Sequence, residues 1–125
     1  MAYSDLMAVK PVTVAETPLF ERQAAKIWTP QEHDEFVDYI ARNPEAGDIV
    51  PDTGGVRKVR WRRSGTGKRG GVRVIHFYYD QEHPLYLLLV YAKSERQDMT
   101  LDQRREAQKF AAIIKYGGRQ RRKSK

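Results

Sequence analysis

Apolar and basic residues alternate along residues 56–63. Neighbouring side chains of an extended strand point to opposite faces, so this alternation places Val59 and Trp61 on one face. The other face then carries three cations, which are Lys58, Arg60 and Arg62. A disordered basic tail has no such alternation. The segment therefore predicts a folded sheet with one face suited to phosphate groups.

Three other segments have strand character. Residues 72–79 follow a glycine-rich stretch, residues 64–71, and this arrangement predicts a hairpin with residues 56–63 as its first strand. After a turn at residues 80–84, residues 85–93 are apolar almost throughout, which predicts a central strand buried on both faces. Residues 12–15 have the composition of an edge strand.

Two helices are predicted before the hairpin. Thr17-Pro18 starts a short helix that extends to about residue 26. The second helix begins at Thr29-Pro30-Gln31-Glu32, where Thr29 can cap the helix and Glu32 can bond back to the Thr29 amide. It ends at Asn43-Pro44, because the residue before a proline disfavours helical geometry. Residues 46–55 are rich in Gly and Pro and predict a connector.

The last predicted helix is capped by Thr100, with Gln103 completing a second capping box, and it ends at Gly117-Gly118. This order predicts an α+β domain in which a small antiparallel sheet packs against N-terminal helices and a C-terminal helix. We divide the chain into a flexible N-terminus at 1–11, a folded domain at 12–116 and a basic tail at 117–125 that is predicted to be disordered.

Positive charge is concentrated in the C-terminal part of the chain. The 125 residues carry a net charge of +7; residues 1–55 hold four basic and ten acidic side chains, and residues 56–125 hold nineteen and six. This asymmetry favours nucleic acid as the partner, although an acidic protein could use the same surface. Membrane binding is disfavoured because the cations follow a strand pattern and not an amphipathic helix. No membrane span is expected either, since the longest apolar run has eight residues, against about 20 for a span. No signal sequence is visible, so we expect a cytoplasmic protein.

Several familiar catalytic sites are missing from the sequence. There is no Cys, and the three His residues are not spaced as metal ligands, so we expect no metal or other cofactor. Residues 64–68 lack the spacing of a phosphate-binding P-loop, and no serine has identifiable triad partners. What remains is the chemistry of Lys and Arg, which neutralise the charge that builds on phosphate oxygens during phosphodiester cleavage.

Five blocks of the sequence carry a resemblance. They are Thr17-Pro18-Leu19-Phe20, Asn43-Pro44-Glu45-Ala46-Gly47-Asp48, Thr53-Gly54-Gly55-Val56-Arg57-Lys58-Val59-Arg60-Trp61, Gly67-Lys68-Arg69-Gly70-Gly71-Val72-Arg73-Val74-Ile75 and Leu88-Leu89-Val90-Tyr91-Ala92-Lys93-Ser94-Glu95. Together they cover roughly residues 14–115 and resemble the RelE/ParE toxin superfamily, most closely its HigB-type branch.

The resemblance implies a small antiparallel sheet packed with helices, and a bacterial toxin that enters the ribosomal A site and cleaves the mRNA there. It also implies a cognate antitoxin, commonly a small helix-turn-helix DNA-binding protein. In RelE-type enzymes the ribose 2′-hydroxyl attacks the neighbouring phosphate, so no metal is needed. The expected partners are therefore the antitoxin, the ribosome and mRNA.

The resemblance also assigns roles by position. Four residues are the expected catalytic set: Lys58 as general base, Arg60 and Arg73 as ligands of the scissile phosphate, and Lys93 at the leaving oxygen, a role for which Arg96 is the alternative. Four others are expected to contact RNA or the ribosome, namely Arg62, Lys68, Arg69 and Arg96.

One departure concerns base stacking. RelE enzymes have a C-terminal tyrosine that stacks on the substrate base, whereas this chain has Asp98-Met99 in that region. Tyr91 or Tyr116 could take its place, or stacking is absent.

Other functions remain open from the sequence. ParE-type relatives bind DNA gyrase without being enzymes, although they generally lack a set such as Lys58, Arg60 and Arg73. A noncatalytic module could bind RNA or DNA with the same face by electrostatics alone. The cations could also be an ordinary solvated sheet face. Trp61 is expected in the core, and His76 is expected to be structural with its polar atoms satisfied.

Overall fold

The computed structural model describes residues 10–63 and 71–124, with side chains as far as Gly118. The elements of these residues follow in the order β1 (Val14–Glu16), α1 (Pro18–Ile27), α2 (Pro30–Arg42), β2 (Asp48–Ile49), β3 (Arg57–Trp61), β4 (Val72–Phe77), β5 (Leu85–Ala92) and α3 (Leu101–Ser124). The predicted α+β class is confirmed.

The strands form one sheet in the spatial order β1-β5-β4-β3-β2. Strands β2 to β5 pair antiparallel, whereas β1 lies parallel to β5. The apolar β5 is thus an internal strand, as predicted, and nearly all its residues are buried. Because β1 pairs only from Leu85 to Leu87, the remainder of β5 has no strand on that side within the described residues.

Local sequence explains where the helices begin. The Thr29 hydroxyl accepts the Glu32 N–H at 3.1 Å, and the Glu32 carboxylate accepts the Thr29 N–H at 2.9 Å, so the predicted capping box is present. Thr100 and Gln103 make the same reciprocal pair of bonds at the start of α3, both at 3.1 Å. These side chains satisfy N–H groups that have no partner inside the helix.

Helices cover both faces of the sheet. On one face, α1 and α2 pack against β3, β4 and β5 around a core that includes Phe20, Trp28, Phe36, Ile40, Val59, Val74 and Val90. On the other face, α3 contributes Ala107 and Ala111 to a second core with Val56, Ile75, Phe77, Leu89 and Tyr91. Trp61 is half-buried against the first core, as predicted, and contacts Phe36 and Tyr39.

The end of α3 differs from the prediction. Gly117-Gly118 does not end the helix, which continues to Ser124. A β-carbon at Gly118 would lie 2.6 Å from the Tyr79 ring, whereas one at Gly117 would meet nothing within 4 Å. Gly118 therefore lets the helix pack closely on Tyr79, and we attribute its presence to this contact rather than to helix termination. The division into domain and tail remains a prediction.

The connector also differs. Residues 46–55 contain β2, which pairs Asp48 with Lys58 and Ile49 with Arg57. Gly47 precedes it with a φ of +89°, and a β-carbon there would lie 2.4 Å from the Lys58 carbonyl oxygen. A strand of two residues is too short to leave an alternating pattern, so the sequence did not reveal it.

The predicted hairpin loop at residues 64–71 falls, except for Gly71, outside the described residues. In the part of the chain that is described, no helix has both the length and the apolar content that crossing a bilayer requires.

Candidate nucleic-acid interface

The strand register places two arginines directly opposite each other. Arg60 on β3 pairs with Arg73 on β4, and Arg73 in turn pairs with Tyr91 on β5. Arg60, Arg73 and Tyr91 form a row across the sheet, called the arginine row below. It lies on the face of the sheet against which α3 packs. Lys58 lies on the same face, where it pairs with Ile75. The structure thus brings together Lys58, Arg60 and Arg73.

The facing positions of Arg60 and Arg73 lower the stability of the fold, because both side chains are positively charged. Side chains directly opposite on antiparallel strands have β-carbons about 5 Å apart, and like charges at such positions are destabilising. Arg60 is exposed, but Arg73 retains only 6% of its accessible surface. Its Nη1 donates to the Val72 carbonyl at 3.2 Å, which orients the guanidinium. A bound anion would relieve the repulsion, so this row suits a phosphate.

Among the described residues, the Asp98 carboxylate approaches Lys58. Lys58 Nζ lies 3.6 Å from Asp98 Oδ1, with the two side chains 32% and 53% exposed. A solvated ion pair of this kind contributes about 0–1 kcal/mol, so a phosphate can compete for the ammonium group. Asp98 also accepts the Met99 N–H at 2.8 Å, which fixes it in the loop after β5. No local sequence pattern indicates this pair, because 40 residues separate its members.

Tyr91 lies beneath the cations. It is 4% exposed, its hydroxyl donates to the Gln97 carbonyl at 3.5 Å, and the Arg96 guanidinium lies 5.0 Å from its ring centroid. Burial raises the pKa of Tyr91, and the Asp98 charge adds to this, while Arg73 and Arg96 oppose it. Because the ring is buried and covered by Arg96, Tyr91 supports the surface and presents no face for base stacking.

Tyr116, the other candidate for stacking, is exposed on α3. It lies about 22 Å along the helix axis from Leu101, at a rise of about 1.5 Å per residue. Gly118, two residues further on, packs against Tyr79 beyond the end of β4, whereas Arg73 lies near the start of β4, so Tyr116 is not part of the arginine row.

Lys93 and Arg62 occupy different surroundings. Lys93 is exposed just after β5, and its N–H donates to the Gly71 carbonyl at 3.1 Å, at the end of the sheet where β4 begins. The Arg62 guanidinium lies 4.7 Å from the Trp61 ring centroid, and Trp61 belongs to the opposite layer. The alternation stops where β3 ends, so the prediction that Arg62 shares the face of Lys58 is wrong. Lys68 and Arg69 lie outside the described residues.

His76 does not belong to this cationic surface, because its side chain is buried. It is fully buried on β4, and its Nε2 donates to the Ala46 carbonyl at 2.9 Å. Burial lowers its pKa from 6.5 to about 4; the bond to Ala46 opposes this shift, and the charge of Arg57 adds to it. Nδ1 has no hydrogen-bond partner within the described residues, so His76 is only half satisfied. Across residues 10–63 and 71–124, no three His, Asp or Glu side chains are grouped to hold a metal.

Comparison with protein families agrees with the geometry. Residues 17–121 match the family described as the RelE toxin of the RelE/RelB toxin–antitoxin system. The match includes every described strand from β2 to β5 and most of the three helices. Membership implies a cognate antitoxin, and RelE toxins are generally mRNA interferases that inhibit translation. Because the match extends over far more than half of the 125 residues, this chain belongs to the RelE toxin family and is the toxin of a toxin–antitoxin system.

Proposed function

We propose that this toxin is a ribosome-dependent mRNA endonuclease of the HigB type, active without a metal ion in the bacterial cytoplasm. The observation that carries the proposal is the pairing of Arg60 with Arg73, with Lys58 on the same face. Three cations gathered at one end of a sheet suit a phosphodiester whose charge increases during the reaction.

The reaction needs one proton acceptor and one proton donor. Lys58, as the general base, takes the proton of the ribose 2′-hydroxyl, and the oxygen attacks the adjacent phosphorus. The bond from phosphorus to the 5′-oxygen breaks as the new bond forms, and Lys93 or Arg96 protonates the leaving oxygen. The products are a 2′,3′-cyclic phosphate and a 5′-hydroxyl, with no water consumed.

The two arginines stabilise the pentacoordinate transition state. Arg73 is buried and oriented by the Val72 carbonyl, and in this role its guanidinium holds a phosphate oxygen. Exposed Arg60 can close on the phosphate from the neighbouring strand. The other residues expected to contact RNA, which are Arg62, Lys68 and Arg69, bind the RNA backbone or ribosomal RNA and take no part in bond breaking; Arg96 does the same if Lys93 protonates the leaving oxygen.

The proposed cellular partner is a small helix-turn-helix antitoxin. The family membership supports an antitoxin, and the resemblance to the HigB branch supports this particular class. Co-purification of the toxin with the product of the adjacent reading frame tests it. An antitoxin without a helix-turn-helix would contradict the assignment.

Mapping of 5′ ends on a translated message tests the nuclease. Purified toxin is added to translating ribosomes, and the wild type is compared with Lys58→Gln, Arg73→Gln and the control Arg42→Gln, an exposed cation on α2. We expect cuts in register with codons, about 10²- to 10³-fold slower with Arg73→Gln and about 10²- to 10⁴-fold slower with Lys58→Gln. Arg42→Gln should match the wild type.

Other outcomes identify the other functions. Growth arrest and ribosome binding without any cut message would refute cleavage and leave a noncatalytic RNA-binding module. Gyrase trapped on broken DNA by the purified protein would instead establish a ParE-type inhibitor. Circular dichroism and thermal unfolding of each variant separate lost chemistry from lost folding, which matters most for buried Arg73.

A further inference from the structure

A groove opens beside β5 where β1 ends. Beyond Leu87 this edge of β5 is completed by side chains: the Thr17 hydroxyl donates to the Leu88 carbonyl at 2.7 Å, and the Val90 N–H donates to Gln23 Oε1 at 3.0 Å. A space of about 330 Å³ lies there between α1 and the loop that follows β5. That volume is at the lower end of ligand sites, which suits one small ligand.

The lining of the groove combines three kinds of chemistry. Ile27 and Val90 are apolar, and the cations Lys26 and Arg96 are accompanied by a single carboxylate, Glu95. Val90 is fully buried, so the apolar surface that a nucleobase can contact is that of half-buried Ile27, and the two cations can bind a phosphate.

The third kind of chemistry is an oriented amide. The Gln23 side-chain oxygen is occupied by the Val90 N–H, so the side chain is held in one orientation. A carboxamide has two N–H donors besides its oxygen, and it can use them on the acceptors of a base edge.

The groove is continuous with the arginine row. Arg96 lines the groove and also lies over the Tyr91 ring, and Tyr91 is the β5 partner of Arg73. A nucleic-acid strand with one phosphate at Arg73 can therefore continue past Tyr91 and Arg96 into the groove that Lys26 and Gln23 line.

We propose that this groove is a subsite for the nucleotide next to the scissile phosphate, with Lys26 binding its phosphate and Gln23 contacting its base. The proposal rests on the proposed nuclease function for the identity of its ligand as RNA. It adds Lys26 and Gln23 to the substrate-binding residues, and it makes Gln23 a determinant of which base is accepted.

The test measures binding without cleavage. A trinucleotide with 2′-deoxyribose at the attacking position is titrated into the protein, and backbone and side-chain amide shifts are recorded by NMR. We expect shifts at the Val90 amide and the Gln23 side-chain amide as well as at Arg73. Lys26→Gln should weaken binding about 3- to 10-fold and reduce the slope of log K against log[salt] by about 0.7, the amount for one phosphate contact to a single strand.

Matched controls separate the groove from general charge. Lys109→Gln makes the same change at a side chain that is 72% exposed on α3, and it should leave the affinity and the salt slope unchanged. Gln23→Glu keeps the oxygen that accepts the Val90 N–H but removes the amide donors, so it should weaken binding and change the base preference. Gln31→Glu, an exposed position on α2, is its control.

Shifts confined to the arginine row, with Lys26→Gln indistinguishable from Lys109→Gln, would overturn the subsite. Groove shifts produced by the cognate antitoxin and not by RNA would also overturn it. The readout does not require catalysis: a toxin that cuts no message but shows the groove shifts supports the subsite and refutes the nuclease.

Discussion

Acid should destabilise this toxin through the buried His76, and the change in the free energy of unfolding is large enough to be measured by denaturation. His76 is neutral in the fold because burial lowers its pKa from 6.5 to about 4. Its Nε2 donates to Ala46, and a proton on Nδ1 would have no partner within the described residues. The charge of Arg57 further disfavours protonation. Protonation therefore favours the unfolded chain.

The sign and magnitude follow from the two pKa values. Above about pH 6.5 neither state binds the proton, and the stabilising contribution is complete. As the pH falls below 6.5, the unfolded state is protonated first, so the free energy of unfolding decreases until the folded state also titrates near pH 4. At about 1.36 kcal/mol per pH unit, the loss is about 2 kcal/mol at pH 5 and about 3 kcal/mol at pH 4. Such a loss is a large fraction of a typical domain stability of about 5–15 kcal/mol.

Urea denaturation of the wild type and His76→Gln between about pH 4 and pH 7.5 measures this contribution. Gln can donate to Ala46 from the same position but does not titrate, and the carboxylates of the chain are common to both proteins. We expect His76→Gln to be the less stable protein at pH 7.5 and to lose about 3 kcal/mol less than the wild type on acidification to pH 4. Parallel pH profiles of the two proteins would contradict this role of His76, as would an NMR titration of the His76 ring with a midpoint near 6.5.

The remaining predictions concern the helices and Lys58. Gly117→Ala should raise the free energy of unfolding by about 0.5–1 kcal/mol, because the added β-carbon meets no other atom within 4 Å. Gly118→Ala should lower the free energy of unfolding, because its β-carbon clashes with the Tyr79 ring. Equal effects of the two variants in thermal unfolding would contradict this packing. Thr29→Ala should cost about 1 kcal/mol by removing the α2 cap, as measured by denaturant midpoint, and no loss would mean that the cap is not used. Asp98→Asn should change stability by less than about 1 kcal/mol; a larger loss would show that the bond to Lys58 holds the loop in place.

Local features of the fold could be predicted from the sequence, because the interacting residues are neighbours in the chain. The Thr29–Glu32 capping box lies within one helical turn, and the alternation of Lys58, Val59 and Arg60 identifies the two faces of β3 without any tertiary information. The choice of Lys58, Arg60 and Arg73 as one set needed the resemblance as well, since the register of the hairpin depends on a loop whose geometry the sequence does not specify.

Long-range packing explains what could not be predicted. In the sequence, Gly118 is typical of a helix end. Only the structure shows that the Tyr79 ring packs against Gly118 and leaves no room for a β-carbon. The parallel pairing of Val14 with Leu85 crosses 71 positions, and the ion pair of Lys58 with Asp98 crosses 40, so no local pattern indicates either one. Arg62 follows the alternation of β3 but lies beyond its end, where contact with Trp61 decides its position.

The side chains that complete the edge of β5 have a consequence for solubility. An open strand edge is a template on which another chain can add a strand, and such addition leads to aggregation. Here the Leu88 carbonyl and the Val90 N–H already have partners in Thr17 and Gln23, so this edge offers an incoming peptide no ladder to extend. The toxin's own side chains thus disfavour strand addition along this part of β5, a protection that requires no partner chain.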